Sequence, residues 1–135
     1  MEISPYLVFD GHCAEAFAFY EKVLGGTVVM KQTFGESPAK DHVPPAWADK
    51  MIHVRLVVGN EALMGSDAPP PQFAQPQGTS VSITVASPAE AERIFMALSE
   101  GGKITMPFGK TFWSPGFGMA VDRFGTPWIV NSEQQ

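Results

Sequence analysis

Cys13-Ala14-Glu15-Ala16 with Phe19-Tyr20 returns, at an offset of 75 (from position 13 to 88), as Pro88-Ala89-Glu90-Ala91 with Ile94-Phe95. Each copy follows a short apolar segment and is closed by a glycine pair, Gly25-Gly26 or Gly101-Gly102. Such internal repetition indicates a repeated supersecondary unit. Two copies cannot build a long solenoid, so the sequence predicts one pseudo-symmetric domain with a groove as the natural ligand site.

Hydrophobic patterning divides the chain into two βαβββ modules joined by a proline-rich linker. Module one covers residues 1–67, the linker 68–78 and module two 79–135, all within a single domain. In module one we predict a strand near 4–10, a helix near 13–25 and strands near 27–35, 51–58 and 61–67. In module two we predict a strand at 79–86, a helix at 88–100 and strands near 103–112, 117–122 and 127–132.

The two predicted helices carry similar apolar stripes and are expected to dock identically on their sheets. These stripes are Ala16, Phe19, Tyr20 and Val23 in the first helix and Ala91, Ile94, Phe95 and Leu98 in the second. The second helix also has a clear start signal, since Ser87 offers an N-cap hydroxyl, Pro88 suits the first helical position and Glu90 the capping box.

Composition excludes several classes of function. The 135 residues are 44% hydrophobic and 17% charged, enough for one core without disulfide or metal. A net charge of −5 without a basic cluster opposes binding to nucleic acid or to an anionic membrane. One cysteine, no basic leader and no run of 18 apolar residues predict a soluble cytoplasmic protein.

The strand at 51–58 carries the first candidate site. Ile52, Val54, Leu56 and Val58 alternate with His53 and Arg55, so the apolar set is expected to face the core. A base that titrates near neutral pH beside a fixed cation can bind and polarise an acidic or carbonyl-bearing ligand. The alternative is a structural histidine and an arginine at a rim or dimer interface.

Asp10, His12 and Cys13 form a second, weaker candidate, because a cysteine at a helix start beside histidine can have a lowered pKa. The alternative is a small buried cysteine. The loop at 35–50, which contains three prolines and Trp47, is interpreted as a lid, a partner contact or irregular surface.

Aromatic and hydroxyl side chains supply the remaining candidates for ligand binding. Ser80, Ser82 and Thr84 alternate with Val81, Ile83 and Val85, a pattern that favours a wet pocket with apolar walls. The aromatic and apolar residues expected to face the ligand, with core or dimer packing as the alternative, are Leu7, Phe9, Phe112, Trp113, Phe117 and Met119.

Several segments together resemble the vicinal oxygen chelate superfamily, which includes glyoxalase I, bleomycin-resistance proteins, fosfomycin-resistance enzymes and extradiol dioxygenases. The match is closest to its PhnB-like branch, sometimes labelled a 3-demethylubiquinone 3-methyltransferase domain. The resemblance runs nearly end to end and rests on these segments: Ser4-Pro5-Tyr6-Leu7, Ala14-Glu15-Ala16, Met51-Ile52-His53, Leu63-Met64-Gly65-Ser66-Asp67, Gly101-Gly102-Lys103, Thr111-Phe112-Trp113 and Asp122 to Asn131.

The resemblance implies an α+β glyoxalase/bleomycin-resistance fold, a cup-shaped eight-stranded mixed sheet with the helices outside, and a homodimer. In the metal enzymes of the superfamily, four inward positions on the first and last strand of each module hold the ion. Transferred through the internal repeat, those positions are Pro5, Met64, Ser80 and Ile129. None is His, Glu or Asp. A one-residue slip in a strand would turn the neighbouring side chain inward and supplies no such ligand either; the residues concerned are Tyr6, Leu63 or Gly65, Thr79 or Val81, and Trp128 or Val130. We therefore expect no metal and no cofactor.

Three functions remain open at this stage. The first is a PhnB-like protein that binds a small organic molecule in the cup, with or without catalysis. The second is a metal-dependent lyase or dioxygenase using His53, His42 and acidic residues. The third is the methyltransferase of the family label, which lacks support because no glycine-rich strand-to-helix turn precedes an acidic ribose ligand.

Overall fold

A computed structural model describes residues 1–69 and 72–133 of the chain. It contains two compact units, Met1–Ala74 and Gln75–Gln135. Pro70 and Pro71 of the predicted linker and the last two residues of module two lie outside the described residues. Within the described residues, no helix has the length and apolar character needed to cross a membrane.

Each unit is a four-stranded mixed sheet with one α-helix. The first has β1 (Tyr6–Phe9), α1 (Cys13–Leu24), β2 (Thr27–Thr33), β3 (Met51–Val58) and β4 (Glu61–Asp67), in the order β1-β4-β3-β2. The second has β5 (Val81–Val85), α2 (Pro88–Ser99), β6 (Lys103–Gly109), β7 (Phe117–Val121) and β8 (Pro127–Ser132), in the order β5-β8-β7-β6. Among the strand pairs of the described residues, β1–β4 and β5–β8 are parallel and the others antiparallel. The predicted α+β class with two βαβββ modules is confirmed.

Local signals explain where the elements begin and end. The helix α1 stops at Leu24 because Gly25 adopts the left-handed conformation, with φ of 73°, and its N–H bonds the Glu21 carbonyl. The helix α2 starts as predicted, since the Ser87 hydroxyl accepts a hydrogen bond from the Glu90 N–H at 3.2 Å. Strand β6 ends before the predicted residue 112, because Thr111 folds into a turn that its hydroxyl and backbone close with Ser114.

The two helices do not dock identically, which corrects the expectation from their matching stripes. Phe17 is buried in α1 although its counterpart Glu92 is exposed, whereas Phe19 is only half-buried. Glycines in the sheets account for the difference. A Cβ at Gly65 would lie 2.7 Å from the Phe17 ring, and a Cβ at Gly118 would lie 2.7 Å from the Phe95 ring. Each helix therefore packs one buried phenyl ring against a glycine of its own sheet.

Each sheet thus has one face covered by its helix and one face without a helix, called here the helix-free face. Val54 and Leu56 of β3 are buried on the helix side, as are Trp128 and Val130 of β8. Strand alternation and pairing put Tyr6, Met64, Arg55 and Met30 in one row across the helix-free face of the first sheet. The corresponding row of the second sheet is Ser82, Ile129, Met119 and Met106.

The strand repeat and the helix repeat are one residue out of step. Tyr6 pairs with Met64 as Ser82 pairs with Ile129, so the first strands repeat at an offset of 76 (from 6 to 82). The helices begin at Cys13 and Pro88, an offset of 75. Three residues, 10–12, join β1 to α1, but only two, 86–87, join β5 to α2. A one-residue difference moves a strand side chain to the opposite face.

The long loop of module one folds onto its own strands. It contains two short 3₁₀ helices, Pro38–His42 and Pro45–Trp47. Backbone hydrogen bonds from Phe34 to Lys50 and from Gly35 to Ala48 close its base, and the Trp47 ring meets Phe34 edge-on at 6.4 Å. The loop is therefore an ordered extension of the β2–β3 connection.

Candidate functional site

His53 and Arg55 lie where their strand pattern predicts, on the helix-free face of the first sheet. Both are half-buried. By contrast, Val54, which lies between them, is 2% exposed, and Leu56, which follows Arg55, is 0% exposed. Ile52 and Val58, which the alternation assigns to the core, are only half-buried because they lie towards the ends of the strand. His53 and Arg55 thus lie on the face of the sheet opposite to the core.

Both side chains already have partners in the chain. The Tyr6 hydroxyl and His53 Nδ1 are hydrogen bonded at 3.1 Å, and the two rings stack with centroids 5.7 Å apart. The Arg55 guanidinium donates to both carboxylate oxygens of Glu2, Nη1 to Oε1 at 2.9 Å and Nη2 to Oε2 at 2.6 Å. These hydrogen bonds lower the pKa of Glu2 below its ordinary value and raise that of Arg55. Tyr6 and Glu2 therefore complete this face.

Phe9 does not face the ligand side, which corrects its prediction. It is 2% exposed and meets Phe17 of α1 edge-on at 6.1 Å. Leu7 shares its side of β1, because it pairs with Gly65, the glycine beneath Phe17. Every residue of β1 is apolar or aromatic, so polar alternation could not show which side chains face the helix. The helix repeat assigned these faces instead, and the extra residue before α1 made that assignment wrong.

Cys13 lies in the core of the first unit and not at an accessible helix start. Its side chain is fully buried, and burial raises the pKa of the thiol, with the Asp67 carboxylate adding to the shift. His12 lies 3.6 Å from Asp10 in an exposed pair and does not contact the sulfur in any described interaction. The structure therefore places Cys13 in the core and leaves Asp10 and His12 at the surface.

The second sheet presents hydroxyl, amide and aromatic groups on its helix-free face. Ser82 and Thr84 are exposed there, as their alternation predicts, and Ser80 is exposed just before β5. Thr84 pairs with Asn131, and Asn131 with Phe117, so the three residues form a row across neighbouring strands. The Asn131 Oδ1 atom is buried, and no hydrogen-bond donor within residues 1–69 or 72–133 reaches it.

Aromatic rings continue from this row into the β6–β7 loop. Trp113 meets Phe117 edge-on at 5.1 Å, and Phe112 meets Trp113 at 4.7 Å. Phe112 is 94% exposed and Trp113 44% exposed, so neither ring is part of the helix-side core. Asn131 therefore lies in the same row as Phe117, whose ring contacts the aromatic cluster of Trp113 and Phe112.

The positions that hold metal in related enzymes do not fit a divalent ion here. Pro5 precedes β1, and its carbonyl accepts the Met64 N–H at 3.1 Å, so the side chain beside Met64 is that of Tyr6. Beside Ile129 lies Ser82, not Ser80. A phenol, a thioether, a hydroxyl and an alkyl group are a poor donor set for such ions. Within the described part of the chain, no three His, Cys, Asp or Glu side chains are grouped as metal ligands.

A cleft of about 90 Å³ lies on the opposite, helix side of the first sheet, between α1, β2 and β3. Phe17, Lys31 and Val54 are among its lining residues. Ligand pockets commonly measure about 300–1,000 Å³. This cleft is therefore too small for most organic ligands.

Residues 1–131 match the family described as 3-demethylubiquinone-9 3-methyltransferase. The chain belongs to this family. It is 35% identical over 143 residues to Protein YjdN of Escherichia coli (strain K12), an alignment that covers 100% of this chain and 97% of that protein.

Several solved structures are similar to this chain. Protein PA1353 from Pseudomonas aeruginosa is 50% identical with a TM-score of 0.89, covering 100% of this chain and 99% of that one. A PhnB protein from Bacillus cereus, described as a putative 3-demethylubiquinone-9 3-methyltransferase, is 24% identical with a TM-score of 0.83, covering 98% and 100%. The FosX fosfomycin-resistance protein of Listeria monocytogenes shares the fold alone, at 7% identity and a TM-score of 0.67 over 98% and 93%.

Three residues of the candidate site are not among the predicted ligand-binding residues. Asn131 ends the segment on which the resemblance rests, and its place in an alternating strand beside Val130 was the available signal. Tyr6 needed the parity of β1, which the repeat gave wrongly. Glu2 had no signal, because its role comes from a contact with Arg55, 53 positions away.

Proposed function

We propose that this protein binds a small organic molecule on the helix-free faces of its sheets, without the metal ion of its superfamily. The observation that carries the proposal is the buried, unpaired Oδ1 atom of Asn131. A buried acceptor without a donor costs about 1–3 kcal/mol. A ligand that donates an N–H or O–H to Asn131 would recover that free energy and be selected for its donor.

The neighbours of Asn131 suit the rest of such a molecule. The Thr84 hydroxyl can donate or accept beside it, and the Phe117 ring, extended by Trp113, offers an apolar wall. Few polar groups among apolar and aromatic side chains are the usual composition of a small-molecule site. The proposed ligand contacts on this sheet are Ser80, Ser82, Thr84, Phe112, Trp113, Phe117 and Asn131.

On the first sheet, His53 and Arg55 are the proposed ligand-binding residues. They share the helix-free face with the Tyr6 hydroxyl, so a base and a fixed cation on β3 lie on the same face as a phenol on β1, with β4 between the two strands. These groups can bind and polarise a carbonyl or an acidic group. Any catalysis by this protein is expected to use them.

A metal-dependent lyase or dioxygenase is the second candidate, because the superfamily includes such enzymes. His42 is exposed in the β2–β3 loop, and the described residues hold no grouped ligand set to accompany His53. Elemental analysis of protein purified without a metal-affinity tag separates the candidates. We expect less than one transition-metal ion per chain, and a stoichiometric ion lost in His53→Ala would overturn this part of the proposal.

The methyltransferase in the family description finds no support in the two strand-to-helix connections. Residues 10–12 contain one glycine and residues 86–87 contain none. A dinucleotide-type or nucleoside-cofactor turn of the Rossmann kind needs several glycines for close backbone approach. We therefore propose no nucleoside cofactor, and we expect a cytoplasmic homodimer that binds neither nucleic acid nor membrane.

Native mass spectrometry of the protein as isolated tests the binding proposal. We expect an organic adduct on the wild-type chain that is lost in Asn131→Ala and retained in the control Asn60→Ala, whose side chain lies at the exposed β3–β4 turn. Because Asn131 Oδ1 is unpaired, Asn131→Ala should not lower the free energy of unfolding. Loss of stability without loss of an adduct would show that Asn131 is structural.

A further inference from the structure

The Glu2 carboxylate is hydrogen bonded to the Arg55 guanidinium in the two-point arrangement by which arginine recognises carboxylate ligands. Two hydrogen bonds, 2.9 and 2.6 Å long, join the two terminal nitrogens of the guanidinium to the two carboxylate oxygens. Such bidentate pairs combine strength with geometric selectivity for a planar carboxylate. The helix-free face of the first sheet thus already holds a carboxylate, supplied by the segment that precedes β1.

The groups around this carboxylate suit an apolar or aromatic body. Arg55 Nη1 lies 3.4 Å from the Met64 sulfur, and Met64 is flanked across the sheet by Tyr6. Tyr6, whose ring stacks on that of His53, is 46% exposed as a residue. Neighbouring strands are about 4.8 Å apart. A ring attached to a carboxylate at Arg55 would therefore rest on Met64 and Tyr6.

Glu2 is held weakly enough to be displaced. Its side chain is 52% exposed, and that of Arg55 is 31% exposed. Exposed ion pairs contribute little to stability, because water screens them and both side chains lose freedom. The neighbouring side chains of Met1 and Ile3 are 116% and 90% exposed, so packing does not fasten this segment to the sheet.

We propose that Arg55 is a binding site for small aromatic carboxylates and that Glu2 is an internal competitor, released when such a ligand binds. This inference rests on the proposed function, since it assigns a chemical class to ligands of the first sheet. Competition from Glu2 lowers the apparent affinity of Arg55 for a ligand. If Glu2 occupies the fork for about four-fifths of the time, the apparent affinity for a ligand is reduced about fivefold.

Benzoate is the probe, and benzamide is its uncharged control of nearly the same shape. The wild type, Glu2→Gln and Glu2→Ala are each titrated with benzoate and with benzamide at low ionic strength. Binding is measured by calorimetry and by the NMR signal of Arg55 Nε–H. We expect benzoate to bind both variants about fivefold more tightly than the wild type. Benzamide should show no such gain. The control Glu61→Gln removes the same charge from an exposed position at the start of β4 and should leave benzoate affinity unchanged.

Arg55→Met in the Glu2→Gln background should abolish benzoate binding while the circular dichroism spectrum stays native. Equal gains in Glu2→Gln and Glu61→Gln would reduce the effect to net charge and overturn the inference. So would binding that survives Arg55→Met, or no benzoate binding by any form. If no organic adduct depends on Asn131 but benzoate affinity follows Glu2 and Arg55, only the broader proposed function fails.

Discussion

Two buried carboxylates, one in each unit, anchor backbone and not ligand. Asp67 accepts the N–H groups of Gly11, Cys13 and Met51, and Asp122 accepts those of Phe124, Thr126 and the Trp128 indole. Both are 3% exposed. Charge-assisted hydrogen bonds of this kind fix the strand ends. The acidic groups at these sheet ends are therefore structural, and the proposed binding chemistry rests on Arg55, His53 and Asn131.

Cys13 is expected to react slowly with a thiol reagent in the native protein. Burial raises the pKa of its thiol, and the nearby Asp67 charge acts in the same direction, so little thiolate is present. Treatment with 5,5′-dithiobis(2-nitrobenzoate) near pH 8 should modify the chain at the rate of unfolding and become fast in urea. Rapid stoichiometric labelling without denaturant would contradict the buried placement.

Glu2 is expected to titrate below its ordinary pKa of 4.5, because the Arg55 hydrogen bonds favour the carboxylate. A lowered folded-state pKa contributes stability above the ordinary pKa and loses it as the pH falls through the folded value. An NMR titration of the Glu2 carboxyl carbon should show the low midpoint in the wild type. In Arg55→Met the midpoint should return towards the ordinary value, and identical midpoints would argue against the ion pair in solution.

At the scale of elements, all eight strands and both helices were predictable, because apolar alternation, glycine pairs and the Ser87 cap act locally. The prediction that failed was which face of β1 each side chain occupies. The extra residue between β1 and α1 reversed the assignment of Pro5 and Phe9, and no local pattern reports a connection length that differs between repeats. The aromatic cluster of Phe112 and Trp113 was found by composition, whereas the ion pair of Glu2 with Arg55 needed tertiary structure.

The facing of β3 predicts how its residues contribute to stability. Leu56→Ala should cost about 2–5 kcal/mol, because the side chain is fully buried beneath α1. His53→Ala should cost about 1 kcal/mol or less, since its hydrogen bond to Tyr6 is exposed. Urea unfolding of the two variants measures both values. A histidine truncation as damaging as the leucine truncation would show that His53 supports the core.

At the scale of the whole molecule, the edges of both sheets leave apolar side chains in solvent. Val29 and Met30 of edge strand β2 are 57% and 44% exposed, and Ile104 and Met106 of edge strand β6 are 45% and 38% exposed. Apolar edge strands favour pairing with another chain. This surface supports the proposal of a homodimer.

Light scattering coupled to size exclusion should report about 29 kDa, twice the 14.6 kDa of one chain. Val29→Lys should lower the mass towards that of one chain, because a charge on an edge strand opposes pairing. The control Met96→Lys changes a residue of α2 with the same 57% exposure and should leave the mass unchanged. A wild-type protein that stays monomeric at micromolar concentration would contradict the proposed assembly.

The unpaired Asn131 acceptor gives the central claim its most direct test, a high-resolution crystal structure of the protein as isolated. The account predicts density for an organic molecule on the helix-free face of the second sheet, with a donor about 2.9 Å from Asn131 Oδ1. A side chain of the same protein on that atom, or water alone, would contradict the claim that this face binds a small molecule.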